Sequence, residues 1–340
     1  MEDCKAPVST SPQTSWKQCL NILGAYQHVM TFLFIGPSLT LLTIFLLFTK
    51  LWWLSVLYGV WLIIDWDTPQ KGGRSSKWFR RCMFWNYVRD YFPIKLIKTA
   101  ELPPDRNYIL CGHPHGIMNT GPLGNLATGS TGFFDLFPGL HLNLAALSTL
   151  LYLPIYRDYL MALGLCSVSR QSLDFLLSSR PSGQAVFIVV GGAHEALDAI
   201  PGVHRLTLRN RKGFVRLALR HGASLVPVYS FGENDIFRVK SFKEGTWQYA
   251  AQVTFKKITG FSPCIFWGRS LFSPNSWGLL PLPKPITTVV GRPIPVPQVL
   301  QPSEDQVNHY HQLYMRELQQ LFEEHKASCG VPASEQLTFV

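Results

Sequence analysis

The fold of this chain turns on one stretch, Tyr108-Ile-Leu-Cys-Gly-His113-Pro-His115-Gly116. Four apolar residues, Tyr108 to Cys111, run into a glycine, the pattern of a short buried strand ended by a breaker. Pro114 fixes its own φ and pushes His113 toward an extended backbone. Gly116 lets another segment or a ligand come close. Two imidazoles are therefore presented on a rigid turn at a strand end. Histidine titrates near neutral pH and is the commonest general base. The bland alternative is a histidine pair in a surface turn, and spacing alone leaves both open.

Working outward, residues 185–190, 225–229 and 286–290 are further short apolar runs, rich in β-branched residues and ended by glycine, proline or serine. Helical patterns lie between them, at 172–177 and 213–220. Near the end, Ser303-Glu-Asp-Gln306 reads as a capping box. An apolar stripe from Val307 to Phe322 follows it, as a core or membrane-apposed helix would show. The alternation predicts an α/β domain over residues 104–340, with a mostly parallel sheet and flanking helices.

The other strand ends carry polar turns of their own. Gly191-Gly-Ala-His194-Glu195 pairs glycines with an acid, which suits a ligand meeting backbone N–H groups. Glu195 is a candidate to orient a histidine or meet a substrate hydroxyl; a first-turn helix acid is the equal alternative. Val226-Pro-Val228 leads to Gly232-Glu233-Asn234, and a proline in a strand predicts an edge or a bulge. Gly291-Arg292-Pro293 closes the last strand in the same way. Parallel strands would bring these turns to one sheet end. Arg205, Arg209, Arg211, Lys212 and Arg216 cluster around a helix start at Gly213. They suit the phosphates of a ligand such as coenzyme A, against the alternative of a solvated basic face.

In its 340 residues the chain is 47% apolar and 15% charged, with a net charge of +10. So low a charged share points to membrane contact. The aromatics sit with aliphatics rather than in basic runs, which argues against nucleic acid. Seven cysteines without a Cys-X-X-Cys indicate free thiols in a reducing compartment. Residues 1–28 read as a cytosolic tail without a cleavable signal. Residues 29–66 read as a transmembrane or re-entrant hairpin. It begins with an uncharged run from Val29 to Phe48, interrupted by Gly36-Pro37. Its second run is bracketed by Trp52, Trp53, Trp61 and Trp66. Residues 67–103 are basic and aromatic, which predicts a membrane-surface helix or a solvated linker on the cytosolic side.

Several chemistries lack their motifs. There is no Gly-X-Ser-X-Gly elbow, no phosphate-binding Walker loop and no His-Glu-X-X-His. His309 and His311 are two apart on a helix and make a poor metal pair, so no metal site is expected.

Taken together, the motifs resemble the diacylglycerol acyltransferase 2 family along nearly the whole chain after about residue 20. The resemblance rests on Tyr91-Phe-Pro93, His113-Pro-His-Gly116, Gly191-Gly-Ala-His-Glu195, Arg211-Lys-Gly-Phe214, Val226 to Asn234 and Gly291-Arg-Pro293. It implies a glycerolipid-acyltransferase-like fold in the endoplasmic-reticulum membrane, with a cytosolic active site. Lipid-droplet contact and homo- or hetero-oligomers are compatible with that setting. It implies acyl transfer from acyl-CoA, a co-substrate rather than a bound cofactor, to monoacylglycerol or diacylglycerol; a long-chain alcohol is the other acceptor class.

Within the resemblance His115 is the catalytic histidine, because some plant-type relatives replace the first histidine with glutamate. His113 and Glu195 join it, and Arg209, Arg211, Lys212, Gly116, Glu233 and Asn234 are expected at the acyl-CoA. Two departures stand out. Thr120 occupies the place where broader glycerolipid acyltransferases carry an Asp after the histidine, so Glu195 or Glu233 is left to orient the imidazole. Gly129 stands where relatives carry a glutamate. That second departure is the sole support for a rival reading, an inactive lipid-binding scaffold.

Overall fold

A computed structural model describes residues 15–179, 182–273 and 276–340 of the chain. Residues 1–14, the first half of the expected tail, lie outside the described residues. Seven strands form the central sheet: β1 (Lys95–Lys98), β2 (Tyr108–His113), β3 (His141–Ala146), β4 (Leu165–Ser167), β5 (Gln184–Val189), β6 (Ser224–Phe231) and β7 (Thr287–Val290). Their spatial order is β1-β7-β6-β2-β5-β3-β4. From β6 to β4 every pairing is parallel, so the expected mostly parallel sheet is present. β2 lies inside that block and is buried at all six positions, as a parallel strand covered on both faces must be.

Two expectations at the sheet are corrected. β7 pairs antiparallel with β6 and parallel with β1. Gly291-Arg292-Pro293 therefore sits at the far end of the sheet, where Ile294 bridges Leu225. Pro227 lies in an inner strand, not at an edge. Its carbonyl accepts from Gly291 N, just beyond the end of β7.

Eight helices matter to the architecture: α1 (Ser15–Leu46), α2 (Trp52–Ile64), α3 (Phe84–Tyr91), α4 (Tyr156–Ala162), α5 (Arg170–Ser178), α6 (Gly213–His221), α7 (Trp247–Thr259) and α8 (Glu304–Lys326). α5, α6 and α8 bury apolar residues against one sheet face; α1, α3 and α4 share the core on the other. The capping box at the start of α8 is formed, with Ser303 and Gln306 each accepting from the other's backbone N–H. Val307, Tyr314, Leu318, Leu321 and Phe322 are buried, so the stripe is core, not a membrane-apposed face.

α1 runs unbroken for 32 residues; its most apolar 18-residue window has a mean hydropathy of 2.1, and only 17% of that window is buried. It starts well before Val29 and passes through Gly36-Pro37 without a break. A π turn at Thr31–Ile35 precedes the proline, the local adjustment that a missing N–H invites. At 1.5 Å per residue α1 is about 48 Å long, ample for a bilayer core of roughly 30 Å. α2, at 13 residues, reaches about 20 Å and is too short to span alone. The two helices form a hairpin, with Ser55 Oγ donating to Thr43 O at 2.8 Å. Most of its large apolar side chains, including Trp52, Trp53 and Trp61, face outward.

The segment after the hairpin is neither one surface helix nor a solvated linker. Arg80 is buried; its guanidinium donates to the carbonyls of Ala127 and Leu126 at 2.7 and 2.9 Å and stacks over Phe134. Burial pulls it down to about 10, and these acceptors offset part of its desolvation. Arg74 ties Asp65, at the end of α2, to Asp158 of α4, and Arg157, fully buried, also reaches Asp65. These arginines fasten the hairpin to the α/β body, which a residue count cannot distinguish from a membrane-surface cation.

Candidate active site

The three polar turns expected at one sheet end are brought together by parallel pairing. Gly112 is level with Val189 of β5, and His113 with Tyr229 of β6. The turn after β2, the loop after β5 and the Gly232-Glu233-Asn234 turn after β6 thus meet at the carboxyl edge, where open α/β sheets place their ligands.

The two histidines do different things there. His113 is fully buried toward α8, with Nε2 3.0 Å from the Tyr314 hydroxyl. Tyr314 in turn donates to Cys111 O at 3.3 Å. His113 Nδ1 lies 3.9 Å from Glu195 Oε1. His115 is half-buried, and its Nδ1 is 3.0 Å from Gly116 O. A carbonyl only accepts, so Nδ1 carries the proton and Nε2 holds the lone pair. This bond holds the ring, and neither Glu195 nor Glu233 is hydrogen-bonded to it.

Both acids grip backbone instead. Glu195 Oε2 accepts from His115 N at 3.0 Å and Oε1 from Thr207 N at 2.9 Å. Glu233 accepts from Thr120 N and Gly121 N, both at 2.7 Å. Burial pushes Glu233 up to about 7, and the two N–H donors hold it back from going further. Gly116 has φ +60°, and a Cβ there would lie 2.6 Å from Glu233 Cγ. The glycine is thus required twice over, by conformation and by space. Asn234 donates to Val203 O at 3.2 Å and lies in the turn rather than at a cavity wall.

Beside this turn opens a cavity of about 400 Å³, walled mainly by apolar groups. His115, Ile117, Met118 and Thr120 line it on one side, and His28, Thr31 and Phe32 of α1 on another. Gly192, Ala193 and the segment from Gly260 to Cys264 complete it. His113, Glu195, Glu233 and Asn234 are not among its lining residues. Cys264 is the cavity's cysteine, and burial pushes its thiol up to about 12, so it stays protonated and is a poor nucleophile.

The basic cluster divides. Lys212 Nζ donates to Asn308 Oδ1 at 2.7 Å and Arg216 pairs with Glu304, which uses both to dock α6 on α8. Arg209 and Arg211 are exposed. Sequence reasoning missed Tyr314, which looks like any stripe residue, and the cavity residues of α1, which read as lipid-facing.

Fold and site define an α/β protein with a histidine-centred apolar pocket, the class that holds the histidine-dependent acyltransferases. The diacylglycerol acyltransferase family model matches residues 44–340, and the chain belongs to that family. It is 67% identical over 97% of its length to human 2-acylglycerol O-acyltransferase 3, covering 97% of that protein. It is 49% identical over 94% of its length to human diacylglycerol O-acyltransferase 2, covering 82% of that protein. The solved 1-acyl-sn-glycerophosphate acyltransferase of Thermotoga maritima aligns over 90% of this chain and 97% of its own, at 13% identity and a TM-score of 0.39. So weak a superposition carries no further argument.

Proposed function

We propose that this chain transfers the acyl group of acyl-CoA to monoacylglycerol, giving diacylglycerol, and takes diacylglycerol as a further acceptor. The observation that carries the chemistry is His115, with its lone pair fixed on Nε2 at the wall of an apolar cavity. The similarity to 2-acylglycerol O-acyltransferase 3 supports the acceptor. Nε2 takes the proton of the acceptor hydroxyl as its oxygen attacks the thioester carbonyl. The tetrahedral intermediate collapses, the C–S bond breaks, and the CoA thiolate leaves and recovers the proton from the imidazolium. A thiolate is a good leaving group, so no acyl-enzyme is required. Glu195 and Glu233 occupy the N–H groups of His115, Thr120 and Gly121. Those of Gly116 to Met118, between them, are left for the oxyanion.

His113 and Glu195 are positioning residues in this reading: they hold the turn while His115 acts. The α1–α2 hairpin lies in the bilayer of the endoplasmic reticulum, and the sheet faces the cytosol, where acyl-CoA is soluble. The hairpin's outward apolar surface supports the membrane placement. The scaffold reading loses its ground, because Gly129 packs beside Arg81 and is not among the cavity residues.

The test is labelled acyl transfer in membranes carrying the full chain, with monoacylglycerol, diacylglycerol and a long-chain alcohol offered in parallel and His115→Ala as the blank. Diacylglycerol formed from monoacylglycerol and lost in the variant is the expected result. Transfer to the alcohol alone would overturn the acceptor, and no transfer from well-inserted protein would overturn the activity.

A further inference from the structure

Two of the segments that wall the cavity carry basic side chains just outside it. Gly192 and Ala193 line the cavity, and His194 follows them. Gly260 lines it too, and caps α7 by donating to Lys256 O at 2.8 Å, so Lys256 stands one turn back from the rim. The two segments are bonded: Ser262 Oγ donates to Ala193 O, and Cys264 Sγ to Ala196 O at 3.2 Å. Arg211 comes from a third direction. It sits in the loop whose Thr207 N–H is held by Glu195, the same carboxylate that holds His115 N.

These three groups act on one another. Lys256 is held below its usual range by partial burial and by the charges of Arg211 and Lys257. His194 is pulled down by burial first and then by Lys256 and Arg211, with Asp198 and Glu244 pulling the other way. Its Nδ1 is buried without a hydrogen-bond partner. Among the described residues, neither Arg211 nor Lys256 has a carboxylate partner within ion-pair distance, whereas Lys212 and Arg216 are already engaged. The like charges that Arg211 and Lys257 bring to Lys256 raise the energy of the empty protein, and a multivalent anion relieves it.

We propose that His194, Arg211 and Lys256 form the subsite for the phosphates of the acyl-CoA nucleotide, at the cavity mouth across from α1. The assignment rests on the acyl-CoA reading above. It replaces Lys212 and Arg209 with groups from two other elements. The pantetheine arm then runs inward past Gly192 and Ala193, and the thioester reaches His115 with its acyl chain in the apolar cavity. Arg211 offers a bidentate fork to a phosphate, and Lys256 a point charge.

An anionic lipid headgroup presents the same chemistry, and the test separates the two. Steady-state kinetics are run on the full chain in neutral and in anionic vesicles. The donors are acyl-CoA, acyl-dephospho-CoA and acyl-pantetheine, which carries no nucleotide phosphate. Arg211→Gln and Lys256→Gln are expected to raise KM for acyl-CoA about ten- to hundredfold, the loss of one charge-assisted contact each, with kcat within about threefold. Acyl-pantetheine should show no difference between variants and parent. An unchanged KM for acyl-CoA overturns the proposal, as does an equal penalty with acyl-pantetheine. Loss of a stimulation by anionic vesicles, at unchanged KM, overturns it in favour of a lipid headgroup. Parent activity measured in the same assay, against His115→Ala, shows separately whether the acyltransferase reading itself fails.

Discussion

Replacing each histidine of the turn in separate variants gives opposite signatures. His115 donates one hydrogen bond, to Gly116 O, and is half-buried. His115→Ala should therefore cost stability no more than about 1 kcal/mol. It removes the base, which is worth about 10²- to 10⁴-fold in rate, or roughly 3–5 kcal/mol of barrier. His113 is wholly buried and bonded to Tyr314. His113→Ala opens a void and leaves the phenol only its 3.3 Å bond to Cys111 O, a cost on the order of 3 kcal/mol in stability. Its turnover loss should track that unfolding and recover at low temperature or with a glycerol stabiliser. The assay pairs thermal unfolding of detergent-purified protein with kcat from labelled acyl-CoA. A His115→Ala protein keeping more than about a tenth of parental kcat would refute the division of roles, because no general base of normal strength is worth so little. So would a His113→Ala protein that melts with the parent yet turns nothing over.

Glu233, raised to about 7, binds its proton more tightly folded than unfolded. Its contribution to stability is therefore complete below pH 4.5 and is lost as pH rises to about 7, by roughly 3 kcal/mol at most. Melts from pH 4 to 8 should show that slope in the parent and a flatter one in Glu233→Gln; equal slopes would refute the assignment. Tyr314→Phe strands His113 Nε2 and should cost about 1–3 kcal/mol of stability, with kcat for monoacylglycerol within twofold; a collapse of kcat at normal melting temperature would put Tyr314 in the chemistry. Gly129→Glu brings a carboxylate beside Arg81, whose Cγ would lie 3.1 Å from the new Cβ. An exposed pair adds about 0–1 kcal/mol, and turnover should not move; a large gain would restore the case for an acid at this position.

The strands that build the site were legible because each is a β-branched apolar run ended by a breaker, and β2, β5 and β6 needed no tertiary information. The same rule missed β3, His141–Ala146, whose asparagine and histidine blur its pattern, and β4, which has three residues. The direction of β7 was not legible, since an apolar tetrapeptide has no polarity until it pairs. The role of each histidine was hidden for a related reason. His113 and His115 differ only in which side of the sheet their rings reach, and Tyr314 and Gly116 O decide that. Arg80 and Lys256 show the limit from the other side: identical in sequence terms to solvated cations, one is a buried staple and the other is half-buried and pressed by Arg211 and Lys257.

The place of α1 in the cavity wall joins the membrane element to the chemistry. Its residues 25 and 29 are buried in the core shared with α3, while His28, Thr31 and Phe32 face the cavity that holds His115. Leu41, Ile44 and Phe45, further along the same helix, face outward. One helix thus turns from cavity wall to outward-facing apolar surface over about three turns. On the proposed reading, a monoacylglycerol is too apolar to leave a bilayer readily, and a wall continuous with the candidate membrane helix would let it reach His115 without crossing water. The donor, by contrast, carries phosphates that the apolar cavity does not suit, and the proposed subsite of Arg211 and Lys256 is the place for them. On the proposed reading both substrates are bound at His115 together, which direct transfer without an acyl-enzyme requires.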